Sequence, residues 1–265
     1  MTAPLLRAST WLALAILGLA GFQARAGNLE HIRSSHELEV CAHPDLLPFS
    51  RQSDPPSGFQ IELAQALADR LEVALQVSWI ISKRSAAKTG CDLYAGVARI
   101  GDAPSPYLKL TDAFMRMESV LVTAPDTGIV RSVADLQGMT VGVSPGSVAA
   151  HRLYQSGIAT ASRFLDESKR LESLASHDID AAIVSRLSAG WFAREKGIAL
   201  QFTDAERLLD TPLNYDYAIG LRKADQQTLD QFNQLLANMK ADGSLAQLFE
   251  RHGLAADGQV ALTHP

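Results

Sequence analysis

Short apolar strands alternate with amphipathic helices along most of the chain, and few folds accommodate that alternation. Residues 37–42 alternate in polarity as a strand does, and residues 59–71 then carry a phenylalanine or leucine at every fourth position, as one face of a helix does. Further strands are predicted at residues 75–80 and 93–97. Connections of this β-α-β kind are nearly always right-handed and place their strands in a parallel sheet, so the pattern predicts an α/β protein.

The alternation breaks twice, near Pro125 and near Tyr215. The strand and helices after the second break either form a third unit or return to the first sheet. We expect the second arrangement, which makes two lobes, each a mixed, mostly parallel sheet flanked by helices. The first lobe would be residues 28–124 plus 217–260, and the second residues 125–216. Ligands of open α/β sheets bind beyond the carboxyl ends of the strands, so the predicted site is a cleft between the lobes, which would close by hinge motion.

The first 26 residues resemble a secretory signal peptide, with Arg7, an apolar stretch at residues 11–21 and an Ala-Arg-Ala cleavage site at residues 24–26. The apolar stretch is short for a membrane span, although an uncleaved anchor is the alternative. We therefore expect a periplasmic protein with no membrane span after cleavage. Its formal charge of −5, which grows more negative without the signal, argues against a nucleic-acid partner.

The two cysteines, Cys41 and Cys91, both lie at predicted strands. Export to an oxidising compartment permits a disulfide between them, and two buried reduced thiols are the alternative. Neither cysteine has C-x-x-C spacing, and the seven histidines show no ligand spacing. No metal and no cofactor are therefore expected.

Three loops follow predicted strands at the edge where a ligand would bind. The first spans residues 43–49, the second residues 95–102, and the third residues 144–147. The third loop begins a helix, where free backbone N–H groups and the helix dipole favour an anion such as a carboxylate. The alternative for this loop is that Ser147 only caps the helix.

Arginines are the expected partners of a bound carboxylate because the guanidinium group can donate to two oxygens at once. Arg99 and Arg116 are the candidates, and each is equally compatible with a surface position. Aromatic side chains are expected to wall the cleft, and serines to supply polar contacts. The predicted ligand-binding residues are Asp45, Phe49, Gly96, Arg99, Tyr107, Arg116, Ser144, Gly146, Ser147, Ser185 and Tyr215.

Residues 142–146 also match the G-x-S-x-G motif of serine hydrolases, and Asp180 and His252 follow in the matching order. The residue after the serine is Pro145, which lacks the N–H group that would stabilise the oxyanion. A serine hydrolase is therefore the less favoured alternative, and we expect a protein that is not an enzyme.

The chain resembles the type II periplasmic solute-binding proteins, solute-binding family 3, which bind polar amino acids and similar solutes for ABC transporters. The resemblance is carried by Pro48-Phe49 and by residues 58–64, 91–96, 140–143 and 239–245. It implies the two-lobed type II periplasmic binding fold, a small-molecule ligand and an ABC permease as partner.

A narrower resemblance is to the J-type accessory proteins of quinoprotein (PQQ) methanol dehydrogenases. It implies a protein that works beside a quinoprotein alcohol dehydrogenase or a cytochrome c. The ABC receptor for a small polar or anionic solute is the alternative. The segments that carry this resemblance are residues 40–44, 47–50, 91–92, 110–111, 179–184 and 187–193, with Arg116.

The chain departs from both families. Amino-acid binders carry Thr-x-x-Arg after the third strand, where this chain reads Ala98-Arg99-Ile100-Gly101, and an Asp for the ligand amine, where this chain has Ser185. A ligand other than a standard α-amino acid is therefore expected. The J-type branch has Trp-Gly-Pro where this chain has residues 185–187.

Overall fold

The computed structural model describes residues 28–53, 55, 57–99 and 107–252. The predicted signal peptide at residues 1–26, the predicted end of the first lobe at residues 253–260 and the loop residues 100–102 lie outside the described residues.

The strands and helices that the alternation predicts are present, and the structure adds others that it does not predict, such as a helix at Glu167–Ala175 and a strand at Ala159–Ala161. The helices are α1 (Asn28–Ser35), α2 (Phe59–Leu71), α3 (Lys83–Lys88), α4 (Val148–Gln155), α5 (Glu167–Ala175), α6 (Arg186–Lys196), α7 (Ala205–Leu209), α8 (Gln226–Ala241) and α9 (Ser244–Arg251). The strands are β1 (Glu37–Ala42), β2 (Asp45–Leu46), β3 (Ser50–Arg51), β4 (Ala74–Trp79), β5 (Leu93–Arg99), β6 (Leu108–Leu110), β7 (Met115–Met117), β8 (Ser119–Thr123), β9 (Thr140–Gly142), β10 (Ala159–Ala161), β11 (Ala181–Ser185), β12 (Gln201–Asp204) and β13 (Tyr215–Arg222).

Two separate sheets confirm the two-lobed α/β prediction. The first has the order β4-β1-β5-β13-β6, with β7 also paired to β13, and the second has the order β10-β9-β11-β8-β12. In each sheet a single strand is antiparallel to its neighbours, β13 in the first and β8 in the second. Both sheets are therefore mixed and mostly parallel.

The reversed strands are the ones that enter from the other lobe. The chain leaves the first sheet at Met117 and begins β8 at Ser119, and it returns from the second lobe to begin β13 at Tyr215. The parallel strands end at the edge where these two strands begin, because Ser185 pairs with Ser119 and Arg99 with Asp216. The carboxyl ends of both parallel sets thus face the region between the lobes.

The predicted first boundary, after residue 124, is wrong. The sequence breaks at Pro125, but the strand before that break pairs with β11 and β12 of the second sheet, so the first crossing lies at Glu118. The return crossing ends just before Tyr215, close to the predicted position at residue 217.

Each lobe has its own apolar core. The first lobe buries one cluster that joins α2, α8 and α9 to the sheet, with Phe59, Leu67 and Phe232 fully buried. The second sheet is covered on both faces, because alternate residues of β8 belong to different clusters, Leu121 to one and Val122 to the other. Leu187 of α6 packs into the first-lobe cluster and thereby joins the lobes.

The loop after β1 caps the start of α2. The N–H groups of Phe59 and Gln60 donate to the carbonyl oxygens of Pro48 and Phe49 at 2.9 and 2.8 Å, which satisfies helix donors that would otherwise lack partners. The loop thus lies against the helix at Gly58, whose φ is +95°.

Cys41 and Cys91 form a disulfide with a Cα–Cα distance of 5.6 Å. Of the two alternatives that the sequence allowed, the structure has the bridge. Both residues are buried, in a small cluster with Ala86. The bridge joins β1 to the segment that enters β5.

Asp242 ties the end of α8 to α9 and α2. Its carboxylate accepts from the backbone N–H of Ser244 and from Arg70 Nη2, each at 2.9 Å. The polar groups of Ser244 and Arg70 lower the pKa of Asp242 from 3.8 to about 2. Because the folded pKa lies below the ordinary value, the charged form stabilises the fold above pH 3.8, and this contribution is lost as the pH falls towards 2.

We expect Asp242→Asn to lower the urea midpoint of unfolding at neutral pH and to have a much smaller effect near pH 2. Midpoints of the two proteins should be compared across that pH range. Asp230→Asn on the exposed face of α8 is the matched control, because within the described residues its carboxylate accepts from Gln226 of the same helix and ties no other element to α8. A difference between Asp242→Asn and the parent protein that is independent of pH would contradict this assignment.

Candidate functional site

A cavity of about 600 Å³ lies between the two sheets, at the edge where their parallel strands end. The first lobe contributes Arg99 from the end of β5 and Tyr215 from the start of β13. The second lobe contributes the turn at residues 143–147, the start of α4, and Glu167 and Arg170 of α5. The cavity is therefore built by both lobes, as the cleft prediction requires.

The two crossings form one wall of this cavity and are hydrogen bonded to each other. Ser119 donates its backbone N–H to Asn214 Oδ1 at 2.8 Å and its hydroxyl to the Leu213 carbonyl at 2.9 Å. Glu206 Oε2 accepts from the N–H groups of Asn214 and Leu213 at 2.8 and 2.9 Å, and these bonds lower the pKa of Glu206. The connection between the lobes is thus a pair of short segments that hydrogen bond to each other.

The turn before α4 forms part of the second-lobe wall. Ser147 caps α4 by accepting from the Ala150 N–H at 3.2 Å, a role that is compatible with a ligand contact as well. Gly146 has a φ of +67°, and no atom lies within 4 Å of the position that a Cβ would occupy. Ser144, Gly146 and Ser147 all line the cavity, and their predicted contact with a ligand stays a prediction.

Arg170 is the most unusual residue of the site, since it lines the cavity with only 2% of its surface exposed. Its Nη1 donates to Ser144 Oγ at 2.7 Å, its Nη2 lies 3.7 Å from Glu167 Oε1, and its Nε has no hydrogen-bond partner among the described residues. Burial lowers the pKa of Arg170, while Glu167 and Asp166 raise it. An arginine remains charged under these conditions, so the site contains a buried cation.

Glu167 accepts hydrogen bonds from Ser185, the last residue of β11 and one of the predicted ligand-binding residues. Ser185 donates its N–H to Glu167 Oε1 at 2.8 Å and its hydroxyl to Glu167 Oε2 at 2.6 Å. Ser185 also caps α6 by accepting from the Ser188 N–H. Because it is buried in these contacts, Ser185 does not line the cavity.

Two predicted residues lie behind the first-lobe wall. Phe49 is buried against Tyr217, with ring centroids 6.1 Å apart. A Cβ on Gly96 would lie 2.3 Å from Tyr217 Cε1, so glycine is what leaves room for that ring. Tyr217 packs in turn against Tyr215, whose burial raises its pKa to about 12. Phe49 and Gly96 therefore position the tyrosines and do not line the cavity.

Three other predicted residues lie elsewhere. Arg116 is half exposed and pairs with Asp216 at 3.4 Å. Tyr107 has 83% of its surface exposed. Asp45 lines a separate cavity of about 260 Å³ between the lobes, next to Arg51. Asp45, Tyr107 and Arg116 are therefore not among the described residues that line the main cavity, and their predicted contact with a ligand stays a prediction.

Sequence reasoning missed Arg170 and Glu167. Both lie on α5, a helix that the loop rule does not examine because it precedes the strand β11. One signal was present, since Arg170 and Leu174 are four residues apart and lie on the same buried helix face. A charged residue at a core position of an amphipathic helix indicates a polar site.

The hydrolase alternative does not match the contacts of its residues. Ser144 accepts from Arg170, Asp180 accepts from the Thr140 N–H at 2.7 Å, and His252 Nε2 lies 3.1 Å from Glu62. The three residues of the motif thus have separate partners. Within the described ranges, no group of three or more His, Cys, Asp or Glu residues could hold a metal ion, and no helix has the length and apolarity to cross a membrane.

Two α/β lobes, two crossings and a cavity lined from both lobes are the features of a two-lobed binding protein. The chain belongs to the bacterial extracellular solute-binding proteins, family 3, whose sequence profile matches residues 38–255. The family assignment confirms the broader of the two resemblances.

Curated relatives are similar over nearly the whole chain. The arginine-binding extracellular protein ArtP of Bacillus subtilis is 27% identical over 255 residues, which are 90% of this chain and 95% of the relative. The L-cystine-binding protein TcyJ of Escherichia coli is 26% identical over 249 residues, which are 90% of this chain and 92% of the relative. These relatives are binding proteins and not enzymes, in agreement with the expectation for this chain.

Solved structures share the fold. A substrate-binding protein of an ABC uptake transporter from Streptococcus pneumoniae, with bound histidine, has a TM-score of 0.70 at 19% identity and covers 85% of this chain and 95% of its own. The amino acid ABC transporter substrate-binding protein AbpA of the same species, bound to L-arginine, has a TM-score of 0.66 at 24% identity, with 84% and 97% covered. The two-lobed fold is therefore that of type II periplasmic binding proteins.

Proposed function

We propose that this protein is the periplasmic receptor of an ABC importer, which encloses a small solute between its lobes and presents the closed form to a permease. The observation that carries this proposal is the cavity of about 600 Å³ at the crossings, lined from both lobes. Its volume lies in the usual range for small-molecule sites. Named relatives such as the arginine- and cystine-binding proteins support a receptor role.

The association with a quinoprotein dehydrogenase stays a prediction of the narrower sequence resemblance. In that role the working surface would be a protein interface, and the cavity would have no ligand to hold. Solute binding by the purified protein therefore separates the two functions.

The test is a thermal-unfolding screen of the purified mature protein against a panel of solutes. A true ligand stabilises the folded state by about 2.7 kcal/mol at a concentration of 100 Kd and raises the melting temperature in a concentration-dependent way. Small-angle scattering should show a smaller radius of gyration with the same solute if the lobes close on it.

The variant Val148→Trp tests whether the solute that raises the melting temperature binds in the cavity. Val148 lines the cavity at the start of α4 and is 56% exposed, so a larger side chain there occupies ligand space without disturbing the core. We expect this variant to lose the ligand-induced shift and to keep the melting temperature of the free protein. Ile129→Trp, an exposed position outside the cavity, is the matched control. Co-purification with a quinoprotein dehydrogenase, without a shift by any solute, would refute the receptor function.

A further inference from the structure

The charged side chains of the cavity are arranged to receive an anion. Arg170 and Arg99 approach it from opposite lobes, and Glu167 is the one carboxylate among the described residues that line it. The start of α4 adds the positive end of a helix dipole on the second-lobe side. Positive charge therefore exceeds negative charge around the space that a ligand would occupy.

Arg170 has capacity for a further acceptor. A guanidinium group carries five N–H donors and usually forms two parallel bonds to a carboxylate. Here the nearest carboxylate oxygen is 3.7 Å from Nη2, beyond ordinary hydrogen-bond distance, and Nε has no partner although its surroundings exclude water. A buried charge left in this state is costly unless a further group satisfies it.

Glu167 is already engaged by partners within the protein. Both of its oxygens already accept hydrogen bonds from Ser185, at 2.8 and 2.6 Å, and one of them faces Arg170. The negative charge of Glu167 is thus used within the protein. A ligand amine in this cavity would meet two arginines and a compensated carboxylate, which disfavours a cationic or zwitterionic solute.

We propose that the solute is a small carboxylate that carries no amino group, and that Arg170 is the residue that determines this specificity. The proposal rests on the receptor function proposed above. Arg170 binds the carboxylate from the second lobe, and Ser144 orients its guanidinium group through the 2.7 Å bond. Arg99, which in the free protein donates to the Thr111 carbonyl at 3.4 Å, meets the ligand from the first lobe.

The first test compares solutes that differ only by an amino group. Succinate with aspartate, glutarate with glutamate, and propionate with alanine are the pairs, with arginine as a cationic probe and inorganic phosphate as an anion of another kind. Calorimetric titration of the full mature chain should give at least tenfold tighter binding for the amine-free member of whichever pair binds. An amino acid that binds more tightly than its amine-free partner, or phosphate that binds more tightly than every carboxylate, would overturn the proposal and leave the receptor function in place. If neither these solutes nor any other solute binds, both the ligand proposal and the receptor function are overturned.

The second test uses variants of the charged pair. Glu167→Gln removes the charge that partly neutralises Arg170, so carboxylate affinity should rise by about tenfold. If Glu167 instead receives a ligand amine, the same variant weakens amino-acid binding, which would refute the assignment. Arg170→Lys keeps the charge but loses the fork, and we expect carboxylate affinity to fall at least tenfold.

Glu30→Gln on α1 is the control. Glu30 is exposed and lines neither of the two cavities between the lobes. Its substitution should leave the affinity for every solute unchanged. Circular dichroism and the melting temperature of the free protein establish that each variant is folded, so that an affinity change reports on the site.

Discussion

Removal of the Cys41–Cys91 disulfide is expected to lower the free energy of unfolding by about 4 kcal/mol. The bridge closes a segment of 50 residues, and without it the unfolded chain gains the conformational entropy of that loop. The segment runs from the end of β1 through α2, β4 and α3, so it includes the loop at residues 43–49.

The expected result is measured by urea unfolding of the oxidised protein, the reduced protein and the double variant Cys41→Ser, Cys91→Ser. Reduction leaves the sulfur atoms in place, whereas serine adds a buried hydroxyl next to Thr89 and Arg222, which contact the cysteine sulfurs. Agreement between the two treatments would attribute the loss to the cross-link. An unchanged midpoint in both would contradict the prediction.

Gly58→Ala is expected to cost about 3 kcal/mol or more, because it combines backbone strain with a clash that cannot relax. At φ +95° and ψ 161°, Gly58 occupies a region that residues with a Cβ rarely adopt. A Cβ there would lie 2.6 Å from the Phe49 carbonyl oxygen, a backbone atom that is itself bonded to the N–H of Gln60. Relief would require the loop to separate from the start of α2.

Gly128→Ala is the control that separates strain from contact. Gly128 has nearly the same backbone conformation, φ 84° and ψ 173°, but no atom lies within 4 Å of its ideal Cβ. We expect it to cost about 1–2 kcal/mol from strain alone. Chemical unfolding of both variants gives the comparison, and equal losses would show that the contact with Phe49 carries no weight.

The two-lobed fold was predictable because periodicity and chain breaks are local signals. The helix at residues 59–71 was placed to the residue, since Gly58 precedes it and its apolar positions repeat every four residues. The lobe of β8 was not predictable, because a run such as Ser119–Thr123 shows that a strand forms without showing which strands pair with it.

The site was predictable only where it follows from strand ends. Ser144, Gly146, Ser147, Arg99 and Tyr215 all adjoin the ends or starts of strands, and the structure brings them to one cavity. Arg170 comes from a helix that packs behind β11, and its arrival depends on three-dimensional packing. Tyr107 and Arg116 are predicted ligand-binding residues on the basis of side-chain chemistry alone. That chemistry does not determine the direction in which a strand or loop presents a side chain.

The position of the reversed strands has a mechanical consequence. Neither β8 nor β13 is an edge strand: β8 lies between β11 and β12, and β13 between β5 and β6. Each crossing therefore leads into an interior strand that is hydrogen bonded on both sides. We expect each sheet to move as one body when the lobes move relative to each other. We therefore expect any bending between the lobes to occur at Glu118 and at residues 212–214, the short segments that link the two sheets.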